Sequence, residues 1–200
     1  GRRISRTESG VTRQYIWNDS VGLPFVNVVF EDGSDLAYCV ITPTGLLLYR
    51  IDAVSNERLD YHYDEAGNTL FLSNSGGTVE ATYTYDPYGK RLGGTGSVDQ
   101  PFTWQGRFGV MQEGLSGLYY ARTRYLDSSQ GARFISRDPI PTLNPLSVNP
   151  YQYAYANPLG YTDPDGLDPR EIGPYEAEVL ARHAAVRRAS EEARLEREAE

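Results

Sequence analysis

Two copies of one short pattern, 22 residues apart in this 200-residue chain, constrain its fold more than any other feature. Each copy, Tyr61–Gly67 and Tyr83–Gly89, reads Tyr-x-Tyr-Asp-x-x-Gly. Alternate residues of a β-strand point to the same face, so both tyrosines of a copy share one side of a sheet. The Asp can accept a turn N–H and the Gly allows a positive φ. The pattern predicts hairpins of one continuous sheet, with Tyr63 and Tyr85 on the same face and equivalent turns after them.

The composition agrees with a β-rich protein and disfavours several classes of function. The chain has 16 Tyr, 20 Gly and 12 Pro, which are strand formers and turn formers. One cysteine, Cys39, excludes an internal disulfide, and with only two histidines a zinc site is disfavoured. The net charge of −8 argues against nucleic acid as the main partner. No apolar run approaches the roughly 20 residues that a membrane-spanning helix needs.

Four further blocks follow one another between Gly117 and Leu167. They are Leu118–Asp127 (LYYARTRYLD), Gly131–Ile140 (GARFISRDPI), Asn149–Pro158 (NPYQYAYANP) and Thr162–Leu167 (TDPDGL). Together with the Tyr-Asp repeats, these blocks resemble the Rhs, or YD-repeat, proteins and in particular their Rhs-associated core. The resemblance implies a hollow β-shell, or cocoon, that encloses a polypeptide, usually a toxin. It also implies that the core closes this shell and cuts its own chain just after Asp-Gly-Leu.

The resemblance places an aspartyl-protease-like site on two Asp-Pro turns. Carried over residue by residue, Asp138 and Asp163 form the catalytic pair. Arg137 is adjacent to Asp138 in the sequence and is expected to orient one carboxylate or keep it ionised. One acid would activate a water against the carbonyl of Leu167, and the other would protonate the leaving amine of Asp168. Two adjacent carboxylates suit this role because their repulsion raises one pKa and so separates an acid from a base.

Two features of these turns leave alternatives open. Asp165 lies nearer to the scissile bond than Asp163 and is an alternative acid. Pro141 stands where the family has Gly in the first turn, which removes a backbone donor and fixes φ. The same sequence therefore also fits a structural or adhesive YD-repeat surface module that does not cleave. A secreted protease acting in trans fits less well, because the acids lie beside their own scissile bond.

The core blocks also contain four arginines and three alternating tyrosines, for which structural roles are expected. The tyrosines Tyr151, Tyr153 and Tyr155 alternate as core or cross-strand residues do. The arginines are expected to pair with turn carboxylates and not with phosphate; they are Arg122, Arg124, Arg133 and Arg137.

The predicted fold is mainly β, with a YD-repeat sheet that forms part of a shell, an irregular core and a C-terminal helix. We divide the chain into a YD-repeat sheet segment (1–116), the Rhs-associated core (117–167), and a linker with the helical start of a variable cargo region (168–200). The helix prediction rests on 175–200, which is rich in Ala, Glu and Arg without Gly or Pro.

The chain begins within strand material without Met, so we interpret it as a fragment of a secreted or cell-surface parent. The expected partners are the rest of its own shell, the enclosed C-terminal polypeptide, and a secretion-system or toxin-complex component. No cofactor or metal is expected.

Overall fold

The computed structural model describes residues 2–114, 116–129, 131–140, 146 and 149–172. In these residues fifteen strands form three antiparallel sheets, and two short 3-10 helices span Gly106–Phe108 and Ala154–Ala156. The predicted mainly-β fold is confirmed. The helix predicted over 175–200 lies outside the described residues, and so does Pro141.

The largest sheet contains nine strands in the order in which they occur along the chain. Every neighbouring pair is antiparallel, so the sheet is a continuous series of hairpins. Its strands are β1 (Ser5–Glu8), β2 (Val11–Asn18), β3 (Phe25–Glu31), β4 (Ser34–Ile41), β5 (Leu47–Asp52), β6 (Arg58–Tyr63), β7 (Thr69–Asn74), β8 (Val79–Tyr85) and β9 (Arg91–Thr95).

The two Tyr-x-Tyr pairs end β6 and β8, which lie on either side of β7. The rings of Tyr61 and Tyr63 stack with centroids 6.1 Å apart, and those of Tyr83 and Tyr85 do so at 6.4 Å. All four rings pack in one hydrophobic cluster, whereas His62 alternates to the other face of the sheet. The predicted shared face of Tyr63 and Tyr85 in one continuous sheet is confirmed.

The turns that follow the two Tyr-x-Tyr pairs are equivalent, as predicted. The N–H groups of Gly67 and Gly89 donate to the carbonyls of Asp64 and Asp86, each at 3.1 Å. Each Asp carboxylate also accepts the N–H of the residue after the glycine, at 2.8 and 2.9 Å. These Asp side chains therefore close the turn from inside, which explains the Asp-x-x-Gly spacing.

A third copy of the repeat, which the residue pattern does not show, precedes the other two in the structure. Gly45 precedes Gly67 by the same 22 residues and ends a turn in which its N–H donates to the carbonyl of Thr42 at 3.0 Å. The Thr42 hydroxyl accepts the N–H of Leu46 at 3.0 Å and so replaces the Asp carboxylate. Cys39, buried in β4, takes the position of the first tyrosine in the same hydrophobic cluster. Three consecutive hairpins thus share one design.

Close packing at Gly67 predicts a large loss of stability when a side chain is added. Gly67 has φ +79°, and a Cβ there would lie 2.4 Å from the ring of Phe108. Gly67→Ala should lose roughly 1–2 kcal/mol from left-handed strain and about 1–3 kcal/mol more from overpacking. Gly33→Ala is the matched control, because Gly33 has φ +85° with nothing within 4 Å of the added atom. Equal losses for the two variants in urea unfolding would contradict this account.

Two smaller sheets follow the large one. The first contains β10 (Met111–Glu113), β11 (Leu118–Ala121), β12 (Arg124–Asp127) and β13 (Arg133–Phe134), and the second pairs β14 (Tyr161–Thr162) with β15 (Arg170–Glu171). β10 lies before Gly117 and pairs with β11, which lies after it. β15 lies after Leu167 and pairs with β14, which lies before it. Strand pairing therefore crosses both of the predicted domain limits. The domain limits themselves stay predictions.

A buried segment at residues 101–110 joins the large sheet to the four-stranded one. Phe102 packs in the cluster of the large sheet, and Trp104 packs in the cluster of the smaller sheet. The Trp104 ring lies 5.1 Å from that of Tyr119 and 5.2 Å from that of Tyr153. This aromatic packing fixes β11 and β12 against the chain around Tyr153, and thereby positions the turn that follows β14.

Candidate functional site

The guanidinium group of Arg124 lies at the centre of the candidate site. Arg124 is the first residue of β12, and its side chain is 2 % exposed. Its Nη2 atom lies 2.9 Å from Oδ2 of Asp138 and 3.2 Å from Oδ2 of Asp163. The structure therefore brings the two acids predicted from sequence to the same nitrogen atom.

The other contacts of Arg124 hold its guanidinium group in place. Nε donates to the carbonyl of Gly166 at 2.6 Å, and Nη1 donates to the carbonyl of Pro150 at 3.1 Å. The guanidinium carbon lies 3.6 Å from the centroid of the Phe134 ring. Burial lowers the pKa of Arg124, while the charges of Asp163 and Asp138 act in the opposite direction. One arginine thus ties the two Asp-bearing turns to β12.

The second Asp-Pro turn packs tightly against the ends of β11 and β12. It follows β14 directly, and the N–H of Gly166 donates to the carbonyl of Asp163 at 3.3 Å. Gly166 has φ +70°, and a Cβ at this position would lie 2.7 Å from the carbonyl oxygen of Ala121. Only glycine fits this position, and the close approach leaves the Asp163 side chain 0 % exposed.

Two carboxylates contact the backbone next to the predicted scissile bond. The N–H of Leu167 donates to Oδ1 of Asp163 at 2.9 Å and to Oδ1 of Asp165 at 3.2 Å. The nitrogen of Asp168, which would become the leaving amine, lies 3.5 Å from the same oxygen of Asp165. Asp165 thus lies as close to the predicted chemistry as Asp163 does.

Asp138 reaches the site from the first Asp-Pro turn. Its N–H donates to the carbonyl of Pro150 at 2.9 Å, and its Oδ1 accepts the N–H of Ile140 at 2.8 Å. Its side chain is 19 % exposed, against 0 % for Asp163. The two acids bound to Arg124 therefore differ strongly in their access to solvent.

Burial raises the pKa of Asp163 to about 7, and the negative charge of Asp165 acts in the same direction. The Arg124 charge and the Leu167 N–H oppose these effects without cancelling them. The raised pKa favours the protonated form of Asp163, which makes it the member of the cluster suited to act as an acid.

Tyr153 and Gln105 form a buried wall beside Asp163. The Tyr153 side chain is buried, and its hydroxyl accepts a hydrogen bond from Nε2 of Gln105. Burial, and after it the Asp163 charge, raises the pKa of Tyr153 well above its ordinary value. The tyrosine is thus a neutral group that shields Asp163 from water. Tyr153 was predicted to be a core residue, and its burial confirms that prediction.

Arg137, which the sequence placed beside the catalytic pair, is exposed, and no hydrogen bond or ion pair joins its side chain to another described residue. The guanidinium group at both acids is that of Arg124. Arg124 was predicted to pair with turn carboxylates, and it contacts both acids of the candidate site. Its separation of 39 residues from Asp163 hides the contact from sequence.

Within the described part of the chain, no cluster of His, Cys, Asp and Glu is arranged to hold a metal ion. Across the same residues, no helix is long and apolar enough to cross a membrane.

Comparison with known proteins gives similarity in both sequence and fold. The chain is 30 % identical over 173 residues to the tRNA3(Ser)-specific nuclease WapA of Bacillus spizizenii, which covers 83 % of this chain and 7 % of WapA. It is 32 % identical over 121 residues to the toxin subunit YenC2 of Yersinia entomophaga, covering 59 % of this chain and 12 % of YenC2. The chain therefore corresponds to a small part of each of these relatives. No protein-family model matches it.

The fold is shared with a crystal structure of TcdB2-TccC3-Cdc42, with a TM-score of 0.60 and 21 % identity over 84 % of this chain and 8 % of the matched chain. The chain is thus an antiparallel β-sheet protein of the kind found in that toxin assembly. Taken with the match to WapA, the comparison supports a relation to the Rhs family.

Proposed function

We propose that this chain is the part of an Rhs-type toxin that closes a β-shell and cuts its own backbone between Leu167 and Asp168. The observation that carries the proposal is the shared position of Asp163 and Asp165 on the N–H of Leu167, with Arg124 joining Asp163 to Asp138. The cut would free a C-terminal cargo from its covalent bond to the shell.

The proposed reaction is a hydrolysis that needs no cofactor. A carboxylate, Asp138 in the assignment from sequence, takes a proton from water, and the water oxygen attacks the carbonyl carbon of Leu167. When the resulting tetrahedral intermediate collapses, the C–N bond breaks and the nitrogen of Asp168 receives a proton from Asp163. Asp165 is the alternative donor, because its Oδ1 lies 3.5 Å from that nitrogen. Arg124 acts as a positioning residue that holds the acids in one arrangement.

The geometry favours a reaction within one chain. Asp163 and Asp165 precede the bond by only four and two residues, so the turn itself holds them beside it. Asp138 belongs to the first Asp-Pro turn, and Arg124 joins it to Asp163. The complete burial of the Asp163 side chain leaves no room there for a separate substrate. Each chain would therefore react once.

The shell role is supported by the open edges of the large sheet. Among the described residues, β1 and β9 each pair on one side only. Unpaired edges invite further strands, so we infer that the sheet continues in a longer secreted or cell-surface parent. The TccC3 relative is found together with TcdB2, and a toxin-complex component is accordingly a proposed partner.

A non-cleaving structural module is the second candidate. It is favoured by the ion pairs and turn hydrogen bonds of Asp138 and Asp163, which would stabilise the core even without chemistry. The two functions differ in whether the backbone is ever cut, and the pH dependence of cutting tests the proposed role of Asp163.

Cleavage is expected to slow as the pH rises through about 7, because Asp163 then loses the proton it must donate. In the unfolded chain Asp163 ionises at its ordinary pKa of 3.8, which is lower than its pKa in the folded chain. The contribution of this group to the stability of the fold is therefore lost as the pH rises from about 4 to about 7. The measurement is the cleavage rate of newly synthesised chain in a cell-free extract transferred to buffers of increasing pH. Circular dichroism at each pH controls for unfolding. A rate that rises steadily into the alkaline range would contradict the role of Asp163.

A further inference from the structure

A cavity of about 240 Å³ lies between the large sheet and the chain that crosses it at residues 98–103. It shares no residue with the Arg124 site. Five arginines line it, together with apolar side chains that include Val29, Val98 and Phe102; the arginines are Arg3, Arg6, Arg13, Arg50 and Arg91. Five positive charges around one cavity repel one another unless negative groups balance them.

Acidic side chains neutralise three of these arginines. Arg3 and Arg6 both pair with Glu113, the latter at 2.9 Å, and Arg6 also pairs with Glu8 at 2.6 Å. Arg13 pairs with Glu31 at 2.9 Å and also with Asp99. These pairs account for most of the positive charge around the cavity.

Arg50 is the exception, because it is buried without a carboxylate. It is 8 % exposed, and no acidic side chain among the described residues lies within ion-pair distance of it. Its Nη1 donates to the backbone carbonyl of Asp99, which is a neutral acceptor. Arg91, at the exposed edge of the sheet, lies over the Tyr83 ring at 5.1 Å. Arg50 is therefore the one buried guanidinium group of the cavity that has no direct carboxylate partner among the described residues.

Two buried guanidinium N–H groups of the cavity residues also lack acceptors. The Nε atoms of Arg50 and Arg3 have no hydrogen-bond partner among the described residues, and the Arg3 side chain is only 10 % exposed. A buried charged donor without an acceptor is costly, and folded proteins seldom retain one. Donors of this kind in a cavity indicate that an acceptor from outside the described residues belongs there.

We propose that this cavity binds a monocarboxylate, whose oxygens accept from Nε of Arg50 while its apolar part packs against Val29, Val98 and Phe102. A single negative charge is enough for the one buried guanidinium group without a carboxylate partner. Repulsion from the carboxylates already paired around the cavity disfavours the second charge of a phosphate dianion. The planar guanidinium group also fits a carboxylate through paired hydrogen bonds. The carboxylate can belong to a free acid or to an Asp or Glu side chain of a neighbouring segment, since both present the same group.

Isothermal titration of the 200-residue chain with benzoate tests the proposal. Benzoate should bind, the neutral isostere benzamide should not, and Arg50→Met should weaken benzoate binding by at least about tenfold, or 1.4 kcal/mol. Arg58→Met is the matched control, because Arg58 is an exposed arginine of β6 outside the cavity. If Arg50→Met does not fold, Arg50→Lys serves instead, because it keeps the charge and removes Nε.

Three outcomes would overturn the proposal: no benzoate binding, binding unchanged in the Arg50 variants, or phosphate binding that is tighter than benzoate binding and is lost with Arg50. The same titration on a longer parent chain separates the two sources of the carboxylate. Equal affinity in both proteins indicates a site for a free acid. Weaker binding to the parent indicates that one of its own acidic side chains already occupies the cavity.

Discussion

Asp163→Asn is expected to abolish cleavage after Leu167 and to leave the chain folded. The amide oxygen can still accept the N–H of Leu167, but the side chain can no longer donate and recover a proton at that position. Loss of a general acid or base typically costs about 10²–10⁴-fold in rate, and a fall of at least about a hundredfold is expected here. Because the amide carries no charge, the variant also avoids the cost of ionising a buried carboxyl above neutral pH.

Asp138→Asn should have a comparable effect on cleavage, since Asp138 is the other acid on Arg124. Asp127→Asn is the matched control: Asp127 lies in the same strand as Arg124, and its carboxylate accepts the N–H of Ser129 at 2.8 Å, away from the site. The fraction of cut chain, measured by intact mass at fixed times, should be unchanged in this control.

Asp165→Asn decides between the two pairs of acids that the structure allows. If Asp163→Asn and Asp165→Asn are inactive while Asp138→Asn cleaves normally, the working pair is Asp163 with Asp165. If the Asp138 and Asp163 variants both cleave at the wild-type rate, the assignment of the catalytic pair is wrong.

The part of the large sheet that contains the two Tyr-x-Tyr-Asp-x-x-Gly copies was predictable from the sequence. Alternating tyrosines and the Asp-x-x-Gly turn are short-range features, and both Tyr-x-Tyr copies lie where the pattern placed them. The third copy escaped notice because Cys39 and Thr42 fill the same places with different chemistry. Its geometry is kept by the hydrophobic cluster and by a hydroxyl that replaces a carboxylate, neither of which a residue pattern reveals.

The candidate site was predictable only in part. The two Asp-Pro turns stand out in the sequence, and resemblance to a family singled out Asp138 and Asp163. The grouping of both acids on Arg124 depends on how β12 packs against two distant turns, and no sequence spacing encodes that contact. Sequence adjacency favoured Arg137, whose side chain is exposed. The high pKa of Asp163 likewise arises from burial that only the folded chain creates.

The chain is expected to be cut completely between Leu167 and Asp168, and the new C-terminal piece should remain attached to the shell by noncovalent contacts. β15 lies downstream of the cut and pairs with β14 upstream of it. The N–H of Ile172 also donates to the carbonyl of Gly160 at 2.8 Å, and Arg170 pairs with Asp165. The two pieces should therefore elute together under native conditions and separate in denaturant.

Terminal sequencing of the piece released in denaturant tests the central claim most directly. The predicted result is a new amino terminus reading Asp-Pro-Arg-Glu, which begins at Asp168, and its absence from Asp163→Asn. A single uncut species after folding at mildly acidic and neutral pH would contradict the claim. So would a cut at the Asp163–Pro164 or Asp168–Pro169 bond, because Asp-Pro bonds break by acid hydrolysis without a catalytic site.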